Sequence, residues 1–246
     1  VLELLAAMLA PRCARRLGTQ CLRAASYTVT PRFTKYSRAM ASNETGIAVP
    51  GLTSTPKTAA GAKQLYDEWA STYDEALESW GYPAPRRVAE VLTELGCGAS
   101  QDILDLGCGT GMSGAAMKAA GLGTEGSVVG TDISQASLDV SQAKGLYSRT
   151  FLANFEEPLP FNDASFDAVA CVGVLSYVER FDVLFPEVCR VLRPGGFFVT
   201  THREVLWDND DRGCKSAATE LASKSHWSIV RIGEPEAYMP KNPEPE

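Results

Sequence analysis

The chain has 246 residues, 45% of them hydrophobic, and a formal net charge of −7. This is the profile of one globular domain with extensions. No apolar run approaches the roughly 20 residues needed to cross a bilayer, so no membrane partner is expected. Residues 1–40 carry seven bases against one acid, a net of +6, which leaves −13 on the rest. A body that acidic has little long-range attraction for phosphate backbones, and no nucleic acid partner is expected.

In chain order, the first 40 residues are Arg-rich and almost free of acids, the composition of an organelle transit peptide. A second reading makes them a spurious extension ahead of a natural start at Met40. On either reading they are excluded from the fold and expected to be poorly ordered. The first places the protein in the mitochondrion or another organelle, the second in the cytoplasm. Residues 41–60 read as a linker, and 61–246 as a single domain. Leu65, Trp69, Tyr73 and Leu77 repeat at helical spacing over 62–79, and a second helix is predicted over about 86–95. "DILDL" follows as a short buried strand, then a glycine-rich turn and a helix over about 112–120. "SVVGTD" is a second strand. Ser134 then caps a helix that stops at Gly145. "RTFLANF" and "FDAVACVGV" are a third and a fourth strand. "FDVLFPEVCRVL" is a helix, "RPGG" a turn and "FFVTT" a fifth strand. A helix over 214–223 and a strand at "HWSIVRI" close the series.

Strands that alternate with helices and are apolar throughout indicate an α/β fold, a Rossmann-like, mostly parallel sheet with helices on both faces. Ligands in such sheets bind at the carboxyl ends of the strands. Asp105, Asp132, Asn154 and the segment after Val174 all fall at such ends.

Seven cysteines form no C-x-x-C pair and there are two histidines, so no metal site is expected. The cysteines read as free buried thiols. Gly109, Gly111 and Gly114 satisfy G-x-G-x-x-G, a dinucleotide signature. Asp105 argues against that ligand. A carboxylate two residues before the first glycine would face a diphosphate at a cost on the order of 1–4 kcal/mol. S-adenosylmethionine carries no phosphate. Its ammonium and sulfonium suit an acid, and helix amides suit its carboxylate. Asp132 ends the second strand, where an acid binds ribose hydroxyls in either cofactor.

"DILDLGCGTG", "VVGTDIS", "ANFEEPLPFNDASFDAVACVGVLSYV" and "VCRVLRPGGFFVTT" resemble, in order, the motifs of the class I S-adenosylmethionine-dependent methyltransferases. "LYDEWASTYDEAL" resembles the N-terminal lid helix of the members acting on small molecules. The resemblance covers about 62–232. It implies methyl transfer to a small-molecule acceptor by a monomer, with S-adenosyl-L-methionine as cofactor. It assigns Tyr66, Tyr73, Asp105, Gly107, Cys108, Gly109, Gly111, Asp132, Ile133, Asn154, Phe155 and Val172 to cofactor binding. Asn154 stands where the family usually has an Asp facing the adenine amino group, and an amide can both accept and donate there. The family sheet ends in a strand inserted next to the fifth. The Pro- and Glu-rich tail here cannot form a central strand, so that last strand is expected to be absent. Displacement at a sulfonium needs mainly binding and orientation. His202 and Tyr177, at strand ends, are the candidate catalytic bases, and His226 reads as structural. Alternatives are a nicotinamide-dependent oxidoreductase, a cofactor-binding module without turnover and a protein methyltransferase.

Overall fold

The computed structural model describes residues 2–10, 56 and 58–242. Three helices lead into the sheet: α1 (Ala59–Trp69), α2 (Tyr73–Trp80) and α3 (Ala84–Glu94). The single helix expected over 62–79 is broken at 70–72, where Trp69 carbonyl accepts from Thr72 N–H and α2 restarts. Trp69, Ala76, Leu77 and Trp80 bury against one another across that break. A continuous helix would hold the two halves in one line and keep their apolar faces apart.

Five parallel strands follow: β2 (Asp102–Leu106), β3 (Ser127–Asp132), β4 (Arg149–Leu152), β5 (Phe166–Cys171) and β6 (Leu192–Arg203). Their order is β4-β3-β2-β5-β6. The crossovers are α4 (Met112–Ala119), α5 (Gln135–Ala143) and α6 (Phe181–Val191). The pleat sends Leu104 and Leu106 into the core with Phe185, Val188 and Phe198, and Ile103 into the opposite core with Val88, Leu92 and Met117. The Rossmann-like sheet expected from the alternation is present.

Beyond β6 the outcome differs from expectation. Leu2–Leu9 form β1, which lies antiparallel between β6 and β7 (Ser228–Ile232). The slot beside β6, expected to stay open, is therefore filled by residues 2–9, which the sequence analysis had excluded from the fold. Met8 is 1% exposed and joins the main core. A largely apolar octapeptide supplies what an open β6 edge requires, and the charge of the following residues does not bear on that pairing. The transit-peptide reading of 11–40, and most of the linker, lie outside the described residues. β1 also accounts for a second difference. "RPGG" is not a turn but the start of β6, because Gly195 and Gly196 pair with Ala10 on one side while Leu192 pairs with Phe166 of β5 on the other.

After β6 come α7 (Glu204–Asn209), which the sequence analysis did not predict, α8 (Cys214–Ser223), β7 and the two-residue β8 (Glu236–Ala237), which pairs with β1. The tail then turns back to the lid. Tyr238 stacks edge-on against Tyr82 at 5.2 Å, and Lys241 N–H donates to Trp80 carbonyl.

Candidate functional site

The carboxyl ends of β2, β3, β4 and β5 converge on a cleft of about 710 Å³ including its mouth. Its sheet-side wall is Gly107, Gly109, Thr110, Asp132, Ile133, Ser137, Asn154, Phe155, Glu156, Val172 and Gly173. Ala59, Ala62 and Tyr66, at spacings of three and four on α1, present one helix face to it from above, with Tyr73 of α2. Val174, Tyr177 and Val178, in and around the 3-10 turn after β5, close the far end.

The glycine loop is shaped from below. Thr131 carbonyl accepts from both Gly107 and Cys108 N–H. Gly107 has φ +74, and a Cβ there would lie 2.1 Å from Val174 Cγ2. Asp132 binds the loop to its own strand end. Its Oδ2 accepts from Gly109 N–H at 2.8 Å and its Oδ1 from Ser134 N–H at 2.9 Å. Burial raises its pKa above the usual carboxylate range. Two accepted bonds leave lone pairs free toward the cleft. The first turn of α4 carries no side-chain cap from Gly111, and of its first three amides Gly114 N–H is taken by Tyr147 OH, which leaves those of Met112 and Ser113 to meet an anion. Asn154 lines the cleft and also makes an Asx turn, its Oδ1 accepting from Glu156 N–H at 3.1 Å.

Ten of the residues proposed from sequence line the cleft: Tyr66, Tyr73, Gly107, Gly109, Asp132, Ile133, Asn154, Phe155, Val172 and Tyr177. Four do not. Asp105 is fully buried beneath the loop, because the pleat turns it toward α4. Its Oδ2 accepts from Ser113 Oγ at 2.5 Å and Tyr147 OH at 2.7 Å, and its Oδ1 has no partner. Burial pushes its pKa up to about 6. It therefore cannot greet an ammonium directly, and acts on the site only as a charge under the loop. Cys108 lies beside it, 3% exposed, its thiol pushed up by burial and unreactive. Gly111 is a spacer: at φ +101 a Cβ would meet Leu146 Cδ1 at 2.8 Å. His202 is buried off the cleft, its Nδ1 unpartnered. Burial, then Arg203 and Arg212, depress its pKa to about 4, and it is withdrawn as a catalytic base.

Sequence reasoning missed Thr110, Ala59, Ala62, Gly173, Val174 and Tyr147. Thr110 sat inside the glycine motif, and the two alanines sat one and two turns before Tyr66; both signals were present. Tyr147 carried none. Its ring occupies the space a Cβ would need at Gly114, 2.5 Å from its Cζ, and at Gly130, 3.2 Å from its Cδ1. Gly114, the third glycine of the dinucleotide pattern, is thus a glycine for this tyrosine. Its N–H donates to Tyr147 OH at 3.1 Å.

At the far end, Tyr66 OH donates to Tyr177 OH at 3.0 Å, with Tyr66 edge-on to both Tyr73 and Tyr177. Burial, then the neighbouring tyrosines, raise the Tyr66 pKa well above the phenol range. Tyr66 therefore stays protonated, able to hydrogen-bond but not to take a proton.

Residues 104–200 match the family model of a methyltransferase domain. The chain is 36% identical to human methyltransferase-like protein 27 over 173 residues, 65% of this chain and 67% of that protein. It is also 36% identical over 85 residues to a fatty-acid O-methyltransferase of Mycolicibacterium smegmatis, 33% of this chain and 31% of that one. In fold it is similar to the solved structure of a possible histamine N-methyltransferase from Thermotoga maritima, TM-score 0.50 at 15% identity, covering 66% of this chain and 79% of the other. With a relative matched over two thirds of its length, this chain belongs to the class I S-adenosylmethionine-dependent methyltransferases, and S-adenosylmethionine is its cofactor.

Proposed function

We propose that the chain transfers the cofactor's methyl group to a small, uncharged acceptor held between the lid and the 3-10 turn. The observation carrying this is the asymmetry of the cleft. Its sheet-side wall holds the carboxylates of Asp132 and Glu156, the Asn154 amide and glycines. Its lid side is Ala59, Ala62, Tyr66, Tyr73, Val174, Tyr177 and Val178, and among the described residues no Lys, Arg or His lines either wall. Such a wall suits an apolar or aromatic molecule and offers no partner to a carboxylate or phosphate. Helices over the opening favour a small acceptor over a protein segment.

The residues fit the cofactor. Asp132 and Ile133 would hold the ribose, and Asn154, Phe155 and Val172 the adenine. Thr110, Gly107, Gly109 and the first amides of α4 would hold the methionyl carboxylate. Tyr66 and Tyr73 would cover the methionyl chain. When bound, the cofactor supplies an activated methyl group for in-line displacement. The chain itself binds, orients and excludes water. Tyr177 and Tyr66 align the acceptor by hydrogen bonds and leave its proton to solvent.

Isothermal titration with S-adenosylhomocysteine should give a 1:1 isotherm, and Asp132→Ala should weaken it at least tenfold by freeing Gly109 and Ser134 N–H groups. Labelled methyl transfer should then appear with neutral aromatic or lipid-like compounds. Turnover confined to a protein or to an anionic metabolite would overturn the acceptor assignment.

A further inference from the structure

Helix α5 carries a tether to the lid at each of its ends. At its N-cap, Ser134 Oγ donates to Asp67 Oδ1 of α1 at 2.6 Å. At its C-cap, Lys144 Nζ forms an ion pair with Asp74 Oδ2 of α2 and donates to Thr110 carbonyl at 2.7 Å. Thr110 Oγ1 donates to the other oxygen of Asp74. Asp74 follows Tyr73, and Thr110 lies between Gly109 and Gly111, so one carboxylate joins the lid to the cofactor loop. Tyr73 and Thr110 both line the cleft. The ends of α5 thus bracket the opening through which a ligand the size of the cofactor must pass.

We propose that Lys144, Asp74 and Thr110 form the latch of this lid, with Lys144 a positioning residue that sets how tightly and for how long the cofactor is held. The proposal rests on the cofactor site described above. Lys144 and Asp74 are each about one third exposed, so added salt weakens the latch by screening, while the buried Thr110 contact fixes its geometry. Ser134 and Asp67 act as a hinge-side tie that salt affects less, because a hydroxyl carries no charge.

The test is titration of the full chain and of Lys144→Met and Lys144→Arg with S-adenosylhomocysteine at 50 and 500 mM NaCl, with stopped-flow release. Lys144→Met should raise Kd about fivefold at low salt and speed release by at least that factor. The natural chain should weaken with salt, while Lys144→Met should not. Lys144→Arg should stay within twofold of the natural chain. A merely structural lysine would leave the salt dependence in place. Kd and salt dependence unchanged in Lys144→Met would overturn the latch while leaving the cofactor site standing. No binding by the natural chain would overturn both.

Discussion

Asp105 and Tyr147 show how a motif residue acts through packing. The carboxylate sits beneath the glycine loop, fastened by Ser113 and Tyr147, and Tyr147 fills the space that Gly114 and Gly130 leave open. Tyr147→Phe keeps the ring but strips the hydroxyl from both Asp105 and Gly114 N–H. Unsatisfied buried groups of this kind cost about 1–3 kcal/mol each. We expect a loss of about 2 kcal/mol in urea unfolding and weaker S-adenosylhomocysteine binding, with unchanged helix content. A variant as stable as the natural chain would show that the loop does not depend on this tyrosine. From sequence, Asp105 was identifiable as the residue that mattered, and its ligand contact was not. Periodicity gives a strand residue's face, and only the position of α4 and Tyr147 makes that face the inside.

Among the elements, β1 is the one whose role reverses. Seven apolar residues and one acid, Glu3, ahead of an Arg-rich stretch were taken with that stretch, although they share no chemistry with it. In the sheet they cover β6 on one edge and β7 on the other. Met8→Ala is the direct check, since Met8 is buried against the main core. Core truncations of this size cost about 2–5 kcal/mol. A segment outside the fold would lose nothing, so an unchanged unfolding midpoint would refute the placement. The break between α1 and α2 and the strand character of "RPGG" have the same origin. In each case a partner distant in sequence outweighs the local preference: Leu77 and Trp80 against Trp69 in the first, Ala10 against Gly195 and Gly196 in the second.

For the molecule as a whole, two buried titrating groups pull stability in opposite directions over one pH range. His202 is held near 4 against an ordinary 6.5. Its unfolded form takes the proton first, so its contribution is present above pH 6.5 and is lost as pH falls toward 4. Asp105 is held near 6 against an ordinary 3.8. Its folded form keeps the proton, so its contribution is present below pH 3.8 and is lost as pH rises through 6. Each amounts to something on the order of 3 kcal/mol, and between pH 4 and 6 they largely cancel. Asp105→Asn should therefore make stability climb more steeply with pH over that range than in the natural chain. His202→Gln should flatten or invert the climb. Denaturant curves at pH 4, 5, 6 and 7 that run parallel for all three proteins would contradict this.

The sequence by itself determined the αβ alternation, the glycine loop, the acid at the end of β3 and the aromatic lid, because each rests on local chemistry: period, turn residues, a charge at a strand end. Tertiary structure alone decided which acid meets the cleft, that His202 is sealed from it, that α5 ties down both lid helices, and which segment completes the sheet. Those outcomes depend on surfaces of separate elements meeting in space, and the free energy of such a meeting is written in no single stretch.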